Sequence, residues 1–509
     1  MNLSKQTFIT FVELQVMENL GYILIAIYTL ALLYITLFCL LQLYLLRAYR
    51  RQKREKKSLS SYTESDPDLP TVTVQLPIYN ELFVVDRLLD NITKLQYPKD
   101  KLEIQVLDDS TDETLDHVRE RVAHFKNRGF DIHYIHRENR EGYKAGALKN
   151  GLRFSTGQYV AIFDADFLPE PEFLLKALPY FDKPEIAVVQ TRWGHINEDY
   201  SLLTQLQAFQ LNVHFTIEQA GRCAAGHFLQ FNGTAGIWKR SAIDDAGGWQ
   251  ADTLTEDLDL SYRAQMKGWK INYIEDITCP AELPAEIYGL KSQQFRWMKG
   301  GAENSRKLLP TILKSNLPFV TKFHSTMHLM ASGIFLVIFG VAITSVPVLY
   351  ALDYYHLKAT FLGFCLLGTL AVVSVFYEAN IMTCWKEKNV KYPFFRFLFL
   401  FPVFMGLSMG MSLHNSIAVL QGYRGKKSSF VRTPKFNLLN LKDKLHNNKY
   451  MIHKIDWTTW FEAIICLYFI FAIGFGIYLE YYSFILFHVL LMFGFGINFF
   501  YALRHLSIK

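Results

Sequence analysis

The chain has 509 residues, of which 50% are hydrophobic and 15% aromatic, and its formal net charge is +6. This length is sufficient for about two or three ordinary domains, and a mean hydropathy of +0.10 excludes an ordinary soluble protein of this size. The six cysteines include no C-x-x-C pair, so the sequence indicates neither a disulfide framework nor a zinc site.

A membrane span is the first predicted element, after an N-terminal segment at 1–18. Residues 20–46 are almost all apolar and carry no charge, and this run exceeds the ~20 residues that a helix needs to cross a bilayer. We assign the span to 19–46 and a basic juxtamembrane linker to 47–65. The linker's run at 47–57 contains seven Lys or Arg and one Glu. It is either a nucleic-acid patch or a stop-transfer signal with anionic-lipid contact. Its position beside a span favours the stop-transfer signal, in the cytosol.

Short β-branched runs alternate with stretches of helical length in the next region, 66–284. The predicted strands are 72–78, 103–109, 132–135, 159–166 and 186–191, and the helical stretches are 81–95, 112–128, 143–155 and 171–182. This alternation predicts a parallel, doubly wound α/β sheet. Ligands of such sheets bind beyond the carboxyl ends of the strands, so the polar residues just past each strand are candidate site residues.

Acidic residues follow three of these strands, at 79–81, 108–109 and 164–166. Carboxylates that converge on one edge of a sheet repel each other unless a cation lies between them. Oxygen ligands without His or Cys favour a hard ion, Mg²⁺ or Mn²⁺. Two solvated surface aspartates are the alternative for 164–166, but their position after an apolar strand favours a metal site.

Lys144 is a candidate phosphate ligand, because it lies at the start of a helix among small residues in GYKAGALK. Neither the P-loop pattern G-x-x-x-x-G-K-[ST] nor the dinucleotide pattern G-x-G-x-x-G is present. The region therefore predicts a nucleotide that is bound for its leaving-group diphosphate.

Two helix-forming stretches carry further candidates. Glu256 and Asp257 lie in the first turn of a predicted helix, where they either stabilise the helix start or supply a general base. Gln293, Arg296 and Trp297 share one face of a helix within a predicted interfacial region at 285–322. An amide, a guanidinium and an indole together suit neither an aliphatic core nor a solvated face.

The last part of the chain predicts four more spans, two in 323–384 and two in 456–503. An apolar stretch at 393–420 lies between two basic loops, the second at 421–455. A single crossing would leave a basic loop outside. We therefore predict an interfacial or re-entrant helix at 393–420, and five spans rather than six.

Seven motifs in 74–297 carry a family resemblance. In chain order they are VQLPIYNE, QVLDDSTD, GYKAGALK, FDADF, QFNGTAGIWKR, TEDLDL and QQFRW. Together they resemble the processive inverting glycosyltransferases of the cellulose synthase superfamily (glycosyltransferase family two). The stretch is most similar to the cellulose-synthase-like glucomannan and mannan synthases and to glucan-backbone synthases. The resemblance implies a GT-A catalytic domain (doubly wound, Rossmann-like) at 66–284, inserted in a multi-pass α-helical membrane domain.

The resemblance also implies a role for each matching position. It makes Asp257 the base that deprotonates the acceptor, in preference to a helix-start role. A gating loop is implied by FVRTPK, in which Arg432 stands where the family has Val. The donor nucleotide or diphosphate would contact Tyr79, Glu81, Asp108, Asp109, Lys144, Asp164 and Arg296, and the metal Asp164 and Asp166. The acceptor would contact Asn232, Gly233, Thr234, Glu256, Gln293 and Trp297, and the gating loop would contribute Phe430, Arg432, Thr433 and Lys435.

The expected activity is that of an inverting hexosyltransferase, a β-glycan synthase that uses a nucleotide sugar and Mg²⁺ or Mn²⁺. We expect it to make a β-linked polysaccharide, with a β-1,4 linkage, such as mannan, glucomannan or glucan, and to translocate it. GDP-mannose is the first donor expected by resemblance and UDP-glucose the second. The other expected partners are the growing glycan chain and membrane lipid, with no nucleic acid; accessory subunits stay open.

Two alternatives and the location stay open as well. The catalytic domain is expected in the cytosol, at a bacterial plasma membrane or a Golgi membrane. One alternative is a membrane glycosyltransferase that transfers a single sugar to a lipid. The other is a transporter whose cytosolic domain senses nucleotide, although the spans lack the paired mid-membrane charges typical of one.

Overall fold

This computed structural model describes residues 5–55, 59–438, 443, 450 and 456–506. The remaining residues belong to the N-terminal segment, the basic run, the 421–455 loop and the C-terminus, and they lie outside the described residues. The first helix, α1 (Lys5–Glu55), is continuous through the predicted span at 19–46.

A seven-stranded sheet forms the centre of the domain at 66–284 within the described residues. The strands are β1 (Val72–Ile78), β2 (Leu102–Asp108), β3 (Ile132–His136), β4 (Tyr159–Ile162), β5 (Ile186–His195), β6 (Gly236–Lys239) and β7 (Lys270–Ala281). Their order is β3-β2-β1-β4-β6-β5-β7. The β1–β2, β2–β3, β1–β4 and β5–β7 pairs are parallel, as predicted.

The prediction of an all-parallel sheet is wrong at β6, which is antiparallel to both β4 and β5. This four-residue strand begins with a glycine and was not predicted, and neither was β7. The antiparallel direction has a consequence for the site. Because β6 runs against its neighbours, the residues just before it, 232–235, lie at the same edge of the sheet as the carboxyl ends of the parallel strands.

Helices cover both faces of the sheet, as a doubly wound α/β domain requires. They are α2 (Val85–Ile92), α3 (Thr114–Asn127), α4 (Tyr143–Leu152), α5 (Phe173–Ala177), α6 (Leu202–Val213), α7 (Ala220–Ala225), α8 (Arg240–Asp245) and α9 (Glu256–Met266). In α2, Val85, Leu88, Leu89 and Ile92 repeat at helical spacing and are buried. One apolar core joins α2, α3 and α5 to the sheet, and another joins α4, α8 and α9 to it.

Nine further helices of the described chain follow the sheet domain. They are α10 (Ile287–Lys314), α11 (Phe319–Leu329), α12 (Ile334–Tyr354), α13 (Cys365–Tyr377), α14 (Trp385–Glu387), α15 (Pro393–Gly410), α16 (Ser412–Tyr423), α17 (Trp457–Tyr478) and α18 (Ile485–Leu506). Two π-helical segments continue α6 and α13, at His214–Gln219 and Glu378–Cys384. Six stretches of the described chain are long and apolar enough to cross a membrane: Asn19–Arg54, Ala331–Tyr354, Leu362–Glu387, Pro393–Gly410, Trp457–Tyr478 and Tyr482–Arg504.

The sheet domain and the membrane helices share one apolar core. Leu203 and Phe209 of α6 and Tyr288 of α10 pack in the same cluster as Leu45 of α1 and Phe404 of α15. This packing places α10, with the predicted Gln293, Arg296 and Trp297 face, between the sheet and the membrane helices.

The α15–α16 pair contacts the sheet domain at its first end and α10 at its second end. Near the start of α15, Arg396 Nη2 lies 3.0 Å from Asp199 Oδ1. Near the end of α16, a Cβ on Gly422 would lie 2.6 Å from the backbone oxygen of Lys299 in α10. Between these ends, the α15 backbone crosses α18 closely, where a Cβ on Gly410 would lie 2.3 Å from the backbone carbon of Gly494.

Candidate active site

One cavity opens at the carboxyl edge of the sheet, between α9, α10 and the loop after α16. It gathers residues that are up to about 350 positions apart in the chain, and most of the predicted site residues line it. Those residues are Tyr79, Glu81, Asp109, Lys144, Asp164, Asp166, Asn232, Gly233, Glu256, Asp257, Gln293, Arg296, Trp297, Phe430, Arg432, Thr433 and Lys435.

Two predicted site residues do not line the cavity. Asp108 is fully buried at the end of β2, where its carboxylate accepts hydrogen bonds from Ser110 N–H and the Tyr134 hydroxyl. Thr234 is also fully buried, and its Oγ1 accepts a hydrogen bond from Asp164 N–H at 2.9 Å. Both residues therefore hold the backbone of the cavity wall, and direct donor or acceptor contact by them is not supported.

Two lysines neutralise the aspartates predicted to hold the metal. Lys144 Nζ lies 2.5 Å from Asp164 Oδ1 and also donates to the backbone oxygen of Gly233 at 2.9 Å. Lys435 Nζ lies 2.7 Å from Asp166 Oδ2. Although burial opposes it, the charge of Asp164 raises the pKa of the Lys144 ammonium, which stays protonated. The site thus combines two carboxylates and two ammonium groups at one sheet edge.

The donor atoms of Asp164 and Asp166 fit a hard divalent cation. Both contribute carboxylate oxygens to one cavity, and the described residues contain no group of three or more His, Cys, Asp or Glu suited to a metal. Mg²⁺ and Mn²⁺ are often held by one or two carboxylates, with phosphate oxygens and water as the remaining ligands. The pair therefore suits a cation that is completed by a diphosphate.

The sequence analysis missed two arginines that contact Asp109 and Tyr79. Arg137 donates from Nε to Asp109 Oδ1 at 2.8 Å, and the guanidinium of Arg140 lies 3.3 Å from the ring centroid of Tyr79. Both residues follow β3. The acidic site residues were predicted from their positions just past a strand. Arg137 and Arg140 stand in the corresponding position after β3, so the same reasoning applied to β3 identifies them.

Asp257 and Glu256 lie in the first turn of α9 at the other side of the cavity. Asp257 Oδ1 accepts a hydrogen bond from Leu258 N–H at 2.8 Å. Burial, together with the charge of Glu256, raises the pKa of Asp257 to about 7. A carboxyl group with such a pKa can accept a proton near neutral pH, as a general base must.

The backbone before Asp257 is fixed by α10. The side chain of Asn304, which is fully buried, donates to the backbone oxygen and to Oγ1 of Thr255 at 3.0 and 2.9 Å. Gly300 allows the close approach, since a Cβ there would lie 2.5 Å from Thr255 Oγ1. The helix with the Gln293, Arg296 and Trp297 face therefore also positions the start of α9.

A buried ion pair anchors α10 to the span α17. Lys291 Nζ lies 2.8 Å from both carboxylate oxygens of Glu462, whose side chain is 0% exposed. His414 of α16 contacts the same turn, with Nε2 2.9 Å from the backbone oxygen of Lys291. These contacts fix the position of α10 against α16 and α17.

The predicted gating loop folds over the cavity. The guanidinium of Arg296 lies 4.5 Å from the ring centroid of Phe430, and its Nη2 donates to Thr433 Oγ1 at 3.2 Å. Arg432, which replaces the family's Val, places Nη1 2.7 Å from Glu81 Oε2. Burial raises the pKa of Glu81 to about 8, and the charge of Arg432 opposes that rise. Residues 439–442, 444–449 and 451–455 of the predicted loop region lie outside the described residues.

Comparisons with known proteins find sequences that are similar to this chain. Residues 70–300 match the model of the family "Glycosyltransferase like family 2". The chain is 43% identical over 263 residues to the probable glucomannan 4-beta-mannosyltransferase 7 of Oryza sativa subsp. japonica, which covers 50% of this chain and 45% of the relative. It is 45% identical over 253 residues to the glucomannan 4-beta-mannosyltransferase 2 of Arabidopsis thaliana, with 49% and 47% covered. The chain thus spans about half the length of these curated relatives.

A solved structure shares the fold. The mannosyltransferase PcManGT from Pyrobaculum calidifontis, solved in complex with GDP-Man and Mn²⁺, superposes with a TM-score of 0.52 at 23% sequence identity. The superposition covers 79% of this chain and all of that chain. The sheet domain therefore has the GT-A fold, and the six apolar helices place it in an integral membrane protein.

Proposed function

We propose that the chain is a membrane-embedded, processive, inverting glycosyltransferase, because residues 70–300 match the model of the family "Glycosyltransferase like family 2". It polymerises sugar from a nucleotide-diphosphate donor into a β-linked polysaccharide, with a β-1,4 linkage, and translocates the product. One observation carries the proposal. The carboxyl of Asp257, the Asp164–Lys144 pair and the Trp297 indole line one cavity beside the membrane helices.

The residues of this cavity divide the reaction between them. Asp257 accepts the proton of the acceptor hydroxyl as that oxygen attacks C1 of the donor sugar. The C1–O bond to the diphosphate breaks, and Lys144 and Arg296 stabilise the charge that the leaving group gains. Trp297 offers an indole face for stacking on the acceptor pyranose, and Gln293 lies one turn before it for a hydroxyl contact.

A single displacement accounts for inversion. In the first turn of α9, the carboxylates that line the cavity are Asp257 and Glu256. The mechanism assigns Glu256 to acceptor binding rather than to covalent catalysis. With one attacking hydroxyl and no covalent intermediate, an α-linked donor gives a β-linked product.

Asp164 and Asp166 hold Mg²⁺ or Mn²⁺ in this proposal. The ion supplies charge stabilisation for the diphosphate. Support comes from the oxygen donor set of the two aspartates and from the Mn²⁺ named for the PcManGT complex. Lys435, which pairs with Asp166 in the closed loop, is then placed to contact a phosphate oxygen of the donor.

GDP-mannose is the first proposed donor, and UDP-glucose is the second. The relatives are named as glucomannan 4-beta-mannosyltransferases, and the PcManGT complex is named with GDP-Man. The product is accordingly a mannan or glucomannan, before a glucan. We place the catalytic domain in the cytosol, where nucleotide sugars are available and where the basic run after the first span belongs.

The test is sugar incorporation by the purified full-length chain in lipid vesicles. Labelled GDP-mannose and UDP-glucose are offered in parallel with Mn²⁺ or Mg²⁺, and the products are sized and digested with β-mannanase or β-glucanase. Long polymer from one donor that the matching enzyme degrades supports the proposal. A single sugar on a lipid supports the alternative, a single-transfer enzyme, and no transfer from either donor contradicts both donor assignments.

A further inference from the structure

We propose that His214 and Glu218 form a positioning pair that aims the side-chain amide of Asn232 at the acceptor saccharide. The inference rests on the proposed function, since it concerns the acceptor end of the same cavity. His214 and Glu218 lie outside every motif that carries the family resemblance.

The pair lies in an unusual backbone segment. His214–Gln219 is π-helical and interrupts the path from α6 to α7. Such segments are rare and frequently occur at functional sites, because the extra residue changes the direction of the side chains. Here the segment places His214 Nδ1 2.8 Å from Glu218 Oε2 and His214 Nε2 3.1 Å from Asn232 Oδ1.

Both nitrogens of the His214 ring face oxygen atoms. Asn232 Oδ1 also accepts a hydrogen bond from Gln230 Nε2 at 3.1 Å, so the oxygen of the amide faces two donors. Each ring nitrogen of His214 therefore faces an oxygen acceptor. Nε2 of His214 can therefore donate to Asn232 Oδ1 and hold the amide in one orientation.

The other end of the Asn232 amide points to a ligand. Asn232 is 8% exposed and lines the cavity, and its Nδ2 has no hydrogen-bond partner among the described residues. A buried donor without an acceptor is costly. The following residue adjoins the base, since a Cβ on Gly233 would lie 2.9 Å from Asp257 Oδ2. A saccharide hydroxyl oxygen that binds near Asp257 supplies the acceptor that Nδ2 lacks.

Charged and polar groups on several elements face the pair. Arg222 of α7 has Nη1 3.9 Å from Glu218 Oε2. Gln42 of α1 hydrogen-bonds to Glu218, and His328 of α11 lies within electrostatic range of His214. Burial raises the pKa of Glu218, but its hydrogen bonds with His214 and Gln42 and the charge of Arg222 lower it further than burial raises it. The pKa of Glu218 is therefore lowered overall, and its carboxylate is the hydrogen-bond acceptor that lies 2.8 Å from His214 Nδ1.

The test measures saccharide binding without turnover. Binding of β-1,4-mannopentaose, β-1,4-cellopentaose and GDP to the purified full-length protein in nanodiscs is followed by calorimetry. We expect His214→Gln to weaken binding of the pentaose about tenfold, which corresponds to ~1.4 kcal/mol, and to leave GDP binding within about twofold. His117→Gln is the matched control, because His117 contacts Asp86 on the domain surface.

Two further variants test whether His214 acts through Asn232. Asn232→Ala alone should weaken the pentaose as much as the His214→Gln, Asn232→Ala double variant does, because the positioned group is already gone. Glu218→Gln should weaken the pentaose as well.

Several results would overturn the inference. They are unchanged pentaose binding in His214→Gln, additive effects in the double variant, equal losses for GDP and pentaose, and a wild type that binds neither pentaose. Because this assay needs no transfer, failure of the proposed function is seen separately, as a wild type that binds pentaose but incorporates no sugar.

Discussion

The donor side and the acceptor side of the cavity differ in how their carboxylates are neutralised. On the donor side, Asp109, Asp164 and Asp166 each form an ion pair with an arginine or a lysine. On the acceptor side, Glu256 and Asp257 form no ion pair within the described part of the chain, and burial raises the pKa of both.

This difference separates two chemical tasks. The carboxylates that form ion pairs lie where a metal and a diphosphate can bind. The carboxyl group of Asp257 forms no ion pair in the described part of the chain, and its raised pKa lets it exchange a proton near pH 7. The same residue type therefore binds charge on one side of the cavity and moves a proton on the other. The predictions below test that division, in order of decreasing effect.

The largest effect is expected for Asp257→Asn. The amide cannot accept the proton of the acceptor hydroxyl, so polymer synthesis should fall by at least about 10³-fold, while binding of GDP should be unchanged. Labelled-sugar incorporation and calorimetry measure the two quantities. Asp252→Asn is the matched control, because Asp252 lies in the loop before α9, is exposed and pairs with Lys307. Residual synthesis above one tenth of wild type would contradict the role of Asp257.

Asp166→Asn should affect the donor side. It removes one of the two proposed metal ligands, so transfer should fall about 100-fold and GDP binding should no longer respond to Mn²⁺. Titration of GDP with and without Mn²⁺ measures this coupling. Asp182→Asn, on the exposed surface of the domain, should retain the response. A variant that keeps wild-type Mn²⁺ coupling would show that Asp166 is not a metal ligand.

Gly233→Ala should affect the acceptor side alone. Gly233 has a φ of +81° and its Cβ would lie 2.9 Å from Asp257 Oδ2, so the methyl group displaces the base. We expect kcat to fall about tenfold with GDP affinity unchanged. Gly129→Ala separates this contact from backbone strain, because Gly129 has a φ of +80° and no atom within 4 Å of its Cβ. Equal losses of activity in both variants would assign the effect to strain.

The sequence predicted the donor side better than the acceptor side, for a physical reason. Asp109 follows β2 directly and Asp164 is the second residue after β4, and parallel strands bring their carboxyl ends to one edge of the sheet. Asn232 reaches that edge because β6 is antiparallel, and a four-residue strand beginning with glycine has too little pattern to reveal its direction. Where the sequence analysis placed Asn232, it relied on resemblance.

Contacts between distant parts of the chain were beyond local patterns. Lys435 meets Asp166 across 269 positions, and Lys291 meets Glu462 across 171. Only the packing of the membrane helices against the sheet domain creates these pairs. The π-helical turn that aims His214 has no sequence signature either, since its residues suit an ordinary α-helix equally well.

The pH dependence of transfer tests the roles of Asp257 and Glu256 on the acceptor side. Because the pKa of Asp257 is raised to about 7, the base is protonated and inactive below that pH, and the rate should rise as pH increases through about 7. The charge of Glu256 contributes to the raised pKa of Asp257, so Glu256→Gln should move the rising limb to lower pH. Rates from pH 5 to pH 9 at saturating donor measure this shift. A rising limb that stays in place or moves to higher pH would contradict the electrostatic coupling of the two groups.

The last prediction concerns the topology of α15 and α16, which contact α10, and it has the smallest expected effect on activity. We propose that α15 and α16 enter the membrane from the cytosol and return to it, although α15 is long and apolar enough to cross. Three contacts support this proposal: Arg396 with Asp199, Gly422 with Lys299 of α10, and the Gly410 approach to Gly494, midway along α18.

Single cysteines at exposed lysines test this arrangement. In a background without the six native cysteines, Lys391→Cys before α15 and Lys427→Cys after α16 should both react with an impermeant maleimide from the cytosolic side. Lys358→Cys, between α12 and α13, should react from the opposite side. All three lysines are exposed and outside the cavity, so polymer synthesis should be retained. Labelling of positions 391 and 427 from opposite sides would make α15 a sixth span, and α16 could then no longer contact α10 on the acceptor side.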